Sequence, residues 1–200
     1  PYTMFIIPGL IMMNTLTNAS SNSSSSMLQM KLLGQLADLI QAPLSSFEIS
    51  MAYIIGGTIR GTVNGLLILL VGITLGGISV MQPFATVGFI ILVSVAFSSI
   101  GFLLGQLADT WDQLATLQNF LLTPLSFLGG IFYSIKMLPD WAQAASFYNP
   151  IYYMINGLRF TILGVSDSPP MTSFIVALIM TVGFFLTAVL MMASGKKIKQ

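Results

Sequence analysis

Few residues in this 200-residue chain can do acid–base or nucleophilic chemistry. It has no cysteine and no histidine, which removes thiolate and imidazole metal ligands and histidine-based catalysis. Asp109 and Asp112 are close in sequence, but they flank a short acidic turn between apolar runs. No Gly-x-x-x-x-Gly-Lys-Ser/Thr occurs, so the chain has no phosphate loop of its own. No catalytic residue, metal site or cofactor is therefore expected within it. What remains is neutral hydrogen-bonding chemistry. Asn14, Asn18 and Asn22 recur every four residues and stack on one helix face. Asn119, Thr123 and Ser126 fall on one side of a second segment. A stripe of amides facing lipid is costly, so such faces are expected to meet protein or a water-filled path. For the second stripe, packing between helices is an equally open explanation.

The elements that carry these stripes are membrane spans. The chain is 55% hydrophobic and 6% charged, against roughly 25% charged residues in a soluble domain. Charge-free windows run from Pro1 to Met30, Gly61 to Ala108, Gln113 to Ile135 and Ser168 to Gly195. A crossing helix needs about 20 apolar residues. The second window holds two spans with a turn at Gln82-Pro83, and each of the others holds one. The expected fold is an all-α integral membrane protein with five transmembrane helices, a single domain over 1–200. The spans are placed near 2–26, 61–80, 84–107, 114–133 and 171–193, with a loop at 27–48 and a segment at 135–170 on opposite sides. A net charge of +1 gives no reason to expect nucleic acid as a partner.

Orientation follows from the ends. Lys196, Lys197 and Lys199 close the last span, which places the C-terminus in the cytoplasm by the positive-inside rule. Lys31 and Arg60 agree with that side; Lys136 and Arg159 lie opposite. The chain opens at Pro1 directly in apolar sequence, with no basic stretch of a signal peptide, and is expected to be a fragment whose beginning is missing. Within the first span, the Asn/Ser run from Asn18 to Ser26 either ends the helix near Leu16 or continues it as a polar face.

From Met27 to Gln41 the pattern turns amphipathic, with Leu28, Leu32, Leu33, Leu36 and Leu39 on one arc, until Pro43 breaks it. A helix resting in the membrane interface would satisfy that pattern. Arg60 would sit at mid-bilayer if its helix spanned Met51 to Leu70. Moving the hydrocarbon segment to 61–80 makes it a surface anchor at lower cost. Gly57-Gly61-Gly65 and Gly101-Gly105 have the spacing of four that lets membrane helices approach closely.

The stretch from Leu122 to Arg159 is too polar and too proline-rich to be one span. It carries Pro124, Phe127-Leu128 with Gly130, Phe132-Tyr133, Leu138-Pro139 with Trp141, Asn149-Pro150 with Tyr153, and Gly157-Leu158-Arg159. In that order these elements resemble the hallmark segment of type-2 ABC transporter permeases, the membrane subunits of bacterial ABC exporters. The resemblance implies six spans, of which the first is missing here, and short re-entrant external helices before the last span. It implies an external gate formed by Pro124, Gly130, Pro139, Trp141, Asn149, Pro150, Tyr153 and Arg159. It implies that the loop with Leu36, Leu39, Ile40, Pro43 and Leu44 docks a cytosolic ABC ATPase, which holds the ATP and Mg. A second permease copy and the bacterial inner membrane complete the picture, with substrate pushed outward between the two copies. Departures are Ser134, where the family often has Pro, and Asn156, where it often has Asp. Arg159 is then expected to pair with Asp140 or Asp167.

Two other functions compete with an exporter. An ion-coupled secondary transporter should carry carboxylates within its spans, and here every Asp and Glu lies in or near a loop. A membrane scaffold need show no polar path at all. The substrate class (drug, lipid-linked saccharide or other amphiphile) is not discriminated by the residues, although an uncharged Asn/Ser/Thr lining suits a neutral or amphiphilic cargo.

Overall fold

The computed structural model describes residues 2–134 and 137–195. Lys136, Lys196, Lys197 and Lys199, which bear on orientation, lie outside them. Among the described residues the fold is wholly helical: α1 (Tyr2–Leu32), α2 (Gln35–Gln41), α3 (Ser46–Thr74), α4 (Pro83–Leu107), α5 (Trp111–Leu128), α6 (Asp140–Phe147), α7 (Pro150–Leu163) and α8 (Pro170–Ser194). By length and hydropathy, α3, α4 and α8 can cross a membrane. The 31-residue α1 packs chiefly along α3 and α4 and so runs through the same thickness. The protein is an all-helical integral membrane protein.

The Asn/Ser run is helical throughout, because tertiary packing overrides the weak helix propensity of serine. Ser20, Ser23 and Ser24 are fully buried against the small-residue faces of α3 and α4. A Cβ at Gly57 would lie 2.7 Å from the Ala19 carbonyl oxygen, and one at Gly105 2.7 Å from that of Ser24. Ser23 and Ser98 then find partners across the junction, whereas Ser20 Oγ is buried without one. Ser23 and Ser98 Oγ are 2.5 Å apart. Ser98 Oγ donates to Ile54 O at 2.7 Å, and Ser23 Oγ to Tyr53 O at 3.1 Å.

Two boundaries differ from the sequence expectation. The amphipathic stretch after Met27 is not one helix. It breaks at Gly34, whose φ of 71° is the left-handed conformation that glycine adopts without a Cβ penalty. The second span does not run to Val80 either; α3 ends at Thr74. The turn after it serves another purpose. Met81 N donates to Ile162 O and Gln82 N to Thr161 O, each at 3.0 Å. These pairs satisfy carbonyls that the last turn of α7 cannot use.

At the opposite end of the bundle, Lys31 ties three elements together. Its Nζ donates to Ala108 O at 2.9 Å and to Gln106 O at 3.3 Å, and pairs with Asp109 at 2.6 Å. A cation on the last carbonyls of α4 also complements the helix dipole.

Candidate functional site: a polar face on α1 and its two ends

The first polar feature lies on α1 between α3 and α5. At about 100° per residue, positions 14, 18 and 22 fall between two packed arcs of α1. One arc, Met13, Thr17 and Ser21, faces α5 across a groove of about 160 Å3 lined by Asn119, Thr123 and Ser126. The other arc, Thr15, Ala19 and Ser23, meets the α3 glycines. The two predicted stripes are thus neighbours on one face, not opposite walls of one pocket.

Their hydrogen bonds are mostly local. Asn14 Nδ2 donates to Leu10 O at 3.2 Å, and Asn18 Nδ2 to Asn14 O at 3.0 Å. Asn22 Oδ1 instead accepts from Arg60 Nη1 at 3.2 Å. On α5, Ser126 is buried and bonded to Leu122 O, whereas Asn119 and Thr123 are exposed. Sequence reasoning missed Thr17, Ser21 and Gln118. The spacing of four from Met13 through Thr17 to Ser21 was the available signal. Gln118 Nε2 donates to Ser24 Oγ at 2.6 Å and fastens α5 to α1.

The second feature is the end that carries α2. Leu36 is turned into the bundle, in a cluster with Met27, Ile49, Phe102 and Met192, and Leu39 packs partly against it. Ile40 and Leu44 remain exposed together with Leu33 and Phe47, and Pro43 is exposed between them. Ile40, Leu44 and the end of α8 border a shallow pocket of about 210 Å3. Of the five predicted docking residues, Leu36 serves the core and Ile40, Pro43 and Leu44 form the accessible edge.

The third feature is the joint at the other end, where the hallmark residues gather. Pro124 lies inside α5, and the helix stops four residues later. Gly130, with φ 79°, turns the chain back. Asn149 then closes two helices at once. Its Oδ1 accepts from Ile151 N at 3.0 Å, the N-cap of α7. Its Nδ2 donates to Leu125 O at 2.7 Å, a carbonyl near the free end of α5. Pro150 occupies the first turn of α7, where its missing N–H costs nothing. Tyr153 Oη donates to Phe147 O at 3.0 Å. Pro139, Trp141 and Tyr148 line an apolar pocket of about 420 Å3 between α5 and α6, with both aromatic rings exposed.

Arg159, expected to be partly buried, is 3% exposed. Its Nη2 donates to Gly130 O at 3.1 Å, and its guanidinium lies 3.9 Å from the centre of the Phe5 ring, a cation–π contact that burial strengthens. Asp167 acts on it electrostatically, whereas Asp140 is exposed in the first turn of α6. Asn156, where an Asp was the family pattern, accepts from Asp167 N at 3.1 Å through Oδ1 and donates through Nδ2 to Tyr152 O. An amide supplies both roles; a carboxylate would supply one.

Among the described residues, no three His, Cys, Asp or Glu side chains gather to hold a metal. The arrangement offers neutral hydrogen bonding along a membrane-depth face, an apolar edge at one end and a capped joint at the other.

Residues 2–163 match the model of the ABC-2 type transporter family. The chain belongs to that family and is a transport permease, the membrane subunit of an ABC transporter, whose partner is an ABC ATPase. Over 198 residues it is 36% identical to the inner membrane transport permease YadH of Escherichia coli (strain K12), covering 99% of this chain and 77% of the relative. It is 25% identical to nodulation protein J of Sinorhizobium fredii (strain NBRC 101917 / NGR234) over 162 residues, 80% of this chain and 61% of that protein. Nodulation protein J of Rhizobium leguminosarum bv. viciae is 24% identical over 165 residues, 82% of this chain and 63% of that protein. Family membership sets aside the scaffold and ion-coupled alternatives.

Proposed function

We propose that this permease moves an amphiphilic substrate outward across a bacterial inner membrane, powered by ATP that a cytosolic partner hydrolyses. The observation that carries this is the apolar edge of Leu33, Ile40, Leu44 and Phe47, exposed at one end of the bundle beside the capped start of α3. Ser45 and Glu48 form a reciprocal capping box there, which fixes the angle at which the edge is presented. The ATPase docks on this edge, which makes it the cytoplasmic end and puts the C-terminus on the same side. ATP and Mg are held by the ATPase and no cofactor by this chain.

Movement at the docked edge reaches the spans through Lys31, which joins α1 to the α4–α5 loop. Two copies face one another through the polar side of α1 and α5, and the solute passes between them. The Asn149 and Arg159 joint then acts as the outer gate, because it fastens α5 to α7 and α7 to α1.

Co-purification of the full-length protein with candidate ATPase subunits tests this. Replacing Ile40 and Leu44 together by Asp should weaken the complex and its ATP turnover by at least about tenfold, since carboxylates on the apolar edge cost at least the roughly 1.4 kcal/mol that a tenfold loss requires. Phe84→Ala, exposed at the start of α4, should leave both unchanged. If no ATPase binds the intact protein, or the double variant binds as well as the parent, the exporter function fails.

A further inference from the structure

Arg60 carries a charge at a depth where nothing within the described residues balances it. It is the middle residue of α3, with 14 residues on either side. A hydrocarbon core of about 30 Å takes about 20 helical residues. Counted back from Thr74, that length reaches Ile55, and a core drawn over it contains Arg60. The surface-anchor position expected from sequence required a helix running to Val80, and α3 stops short of it.

A guanidinium within the core costs about 2.5–3.5 kcal/mol on insertion scales and belongs with a partner or a water-filled cavity. Here Arg60 is exposed, and its side chain donates to the neutral Asn22 Oδ1 at 3.2 Å. No carboxylate lies within 4 Å among the described residues. Asn64, one turn further along α3, donates to Arg60 O at 2.8 Å. One turn before it, Gly56 borders a crevice of about 240 Å3 with Asn22, Ser26 and Tyr53. Arg60 is thus hydrogen-bonded to Asn22, which itself lines that crevice on the polar side of α1.

We propose that Arg60 is the recognition point for an anionic group, phosphate or carboxylate, on the cargo. This rests on the exporter function above and corrects the neutral lining expected from sequence. The guanidinium fork supplies paired N–H donors to such a group, and Asn22 orients the fork. An amphiphile with a cationic head is rejected by the same charge.

The test uses the full-length permease in nanodiscs of zwitterionic phosphatidylcholine and two probes of equal chain length, dodecyl phosphate and dodecyltrimethylammonium. The parent protein should bind the phosphate at least about tenfold more tightly, the ratio one charge-assisted contact supplies. Arg60→Gln should erase that preference, and it removes an insertion cost, so the variant should still fold. Arg60→Lys keeps the charge without the fork and should retain part of the preference. Equal binding of the two probes by the parent, or an unchanged preference in Arg60→Gln, overturns the proposal. An intact preference without ATP-driven efflux from proteoliposomes overturns the exporter function and leaves the anion site standing.

Discussion

Gly101→Val should abolish folding of the membrane bundle. The α1 main chain crosses α4 at this residue, and a Cβ there would lie 2.7 Å from both the carbonyl carbon and the Cα of Ser20. The obstacle is backbone, so no side-chain rotamer relieves it. Overpacking a core ordinarily costs about 1–3 kcal/mol; here two spanning helices must separate, and the cost should exceed that range. Separation would also break the Ser23–Ser98 pair and strand buried hydroxyls. Gly105→Val should be damaging in the same way, against the Ser24 carbonyl and Met27 Cβ at 2.7 and 2.9 Å. Gly183→Val is the control, because nothing lies within 4 Å of its added carbon. Size-exclusion profiles of the detergent-extracted variants read the difference. A monodisperse Gly101→Val protein with parental thermal stability would show that the α1–α4 contact is not as close as described.

Asn149→Ala should be the second most damaging change. The side chain is 4% exposed and serves α7 and α5 at once. Loss of an N-cap costs about 1 kcal/mol, and a buried carbonyl left without its donor costs about 1–3 kcal/mol more. The sum of about 2–4 kcal/mol is a large share of any domain's stability. Asn149→Asp separates the two contributions. It keeps an acceptor for Ile151 N but sets a carboxylate against Leu125 O, so it should recover little. Asn149→Ser keeps the cap alone and should recover about 1 kcal/mol. Thermal unfolding of the full-length protein measures all three. Limited proteolysis in the 129–139 segment should accelerate in step if the joint opens. Tolerance of Asn149→Ala with unchanged cleavage would remove this residue from the joint.

Local punctuation was legible in the residues themselves. Pro83, Pro150 and Pro170 each open a helix, and Gly164 and Gly195 end α7 and α8 with positive φ. These signals act over a few bonds, so neighbouring residues are enough to specify them. The absence of thiolate and imidazole groups was legible at once, since a residue type that does not occur cannot be placed anywhere. The split of the 27–41 stretch was signalled only by Gly34, which the amphipathic pattern outweighed.

Depth and partnership were not legible. Whether the serine run continues α1 depends on glycines of α3 and α4 that are dozens of residues away, because the interaction that offsets poor propensity is packing. The end of α3 at Thr74 reflects a turn whose N–H groups serve α7, a demand no window of α3 contains. That single boundary leaves Arg60 at the middle of α3. Arg159 likewise found a carbonyl 29 positions away and the Phe5 ring. The sequence by itself determined the class of segment and the helix caps, both of which are short-range or compositional. Only the tertiary structure decided which polar groups meet, since hydrogen-bond partners and charge environments are set by chains that converge in space from distant positions.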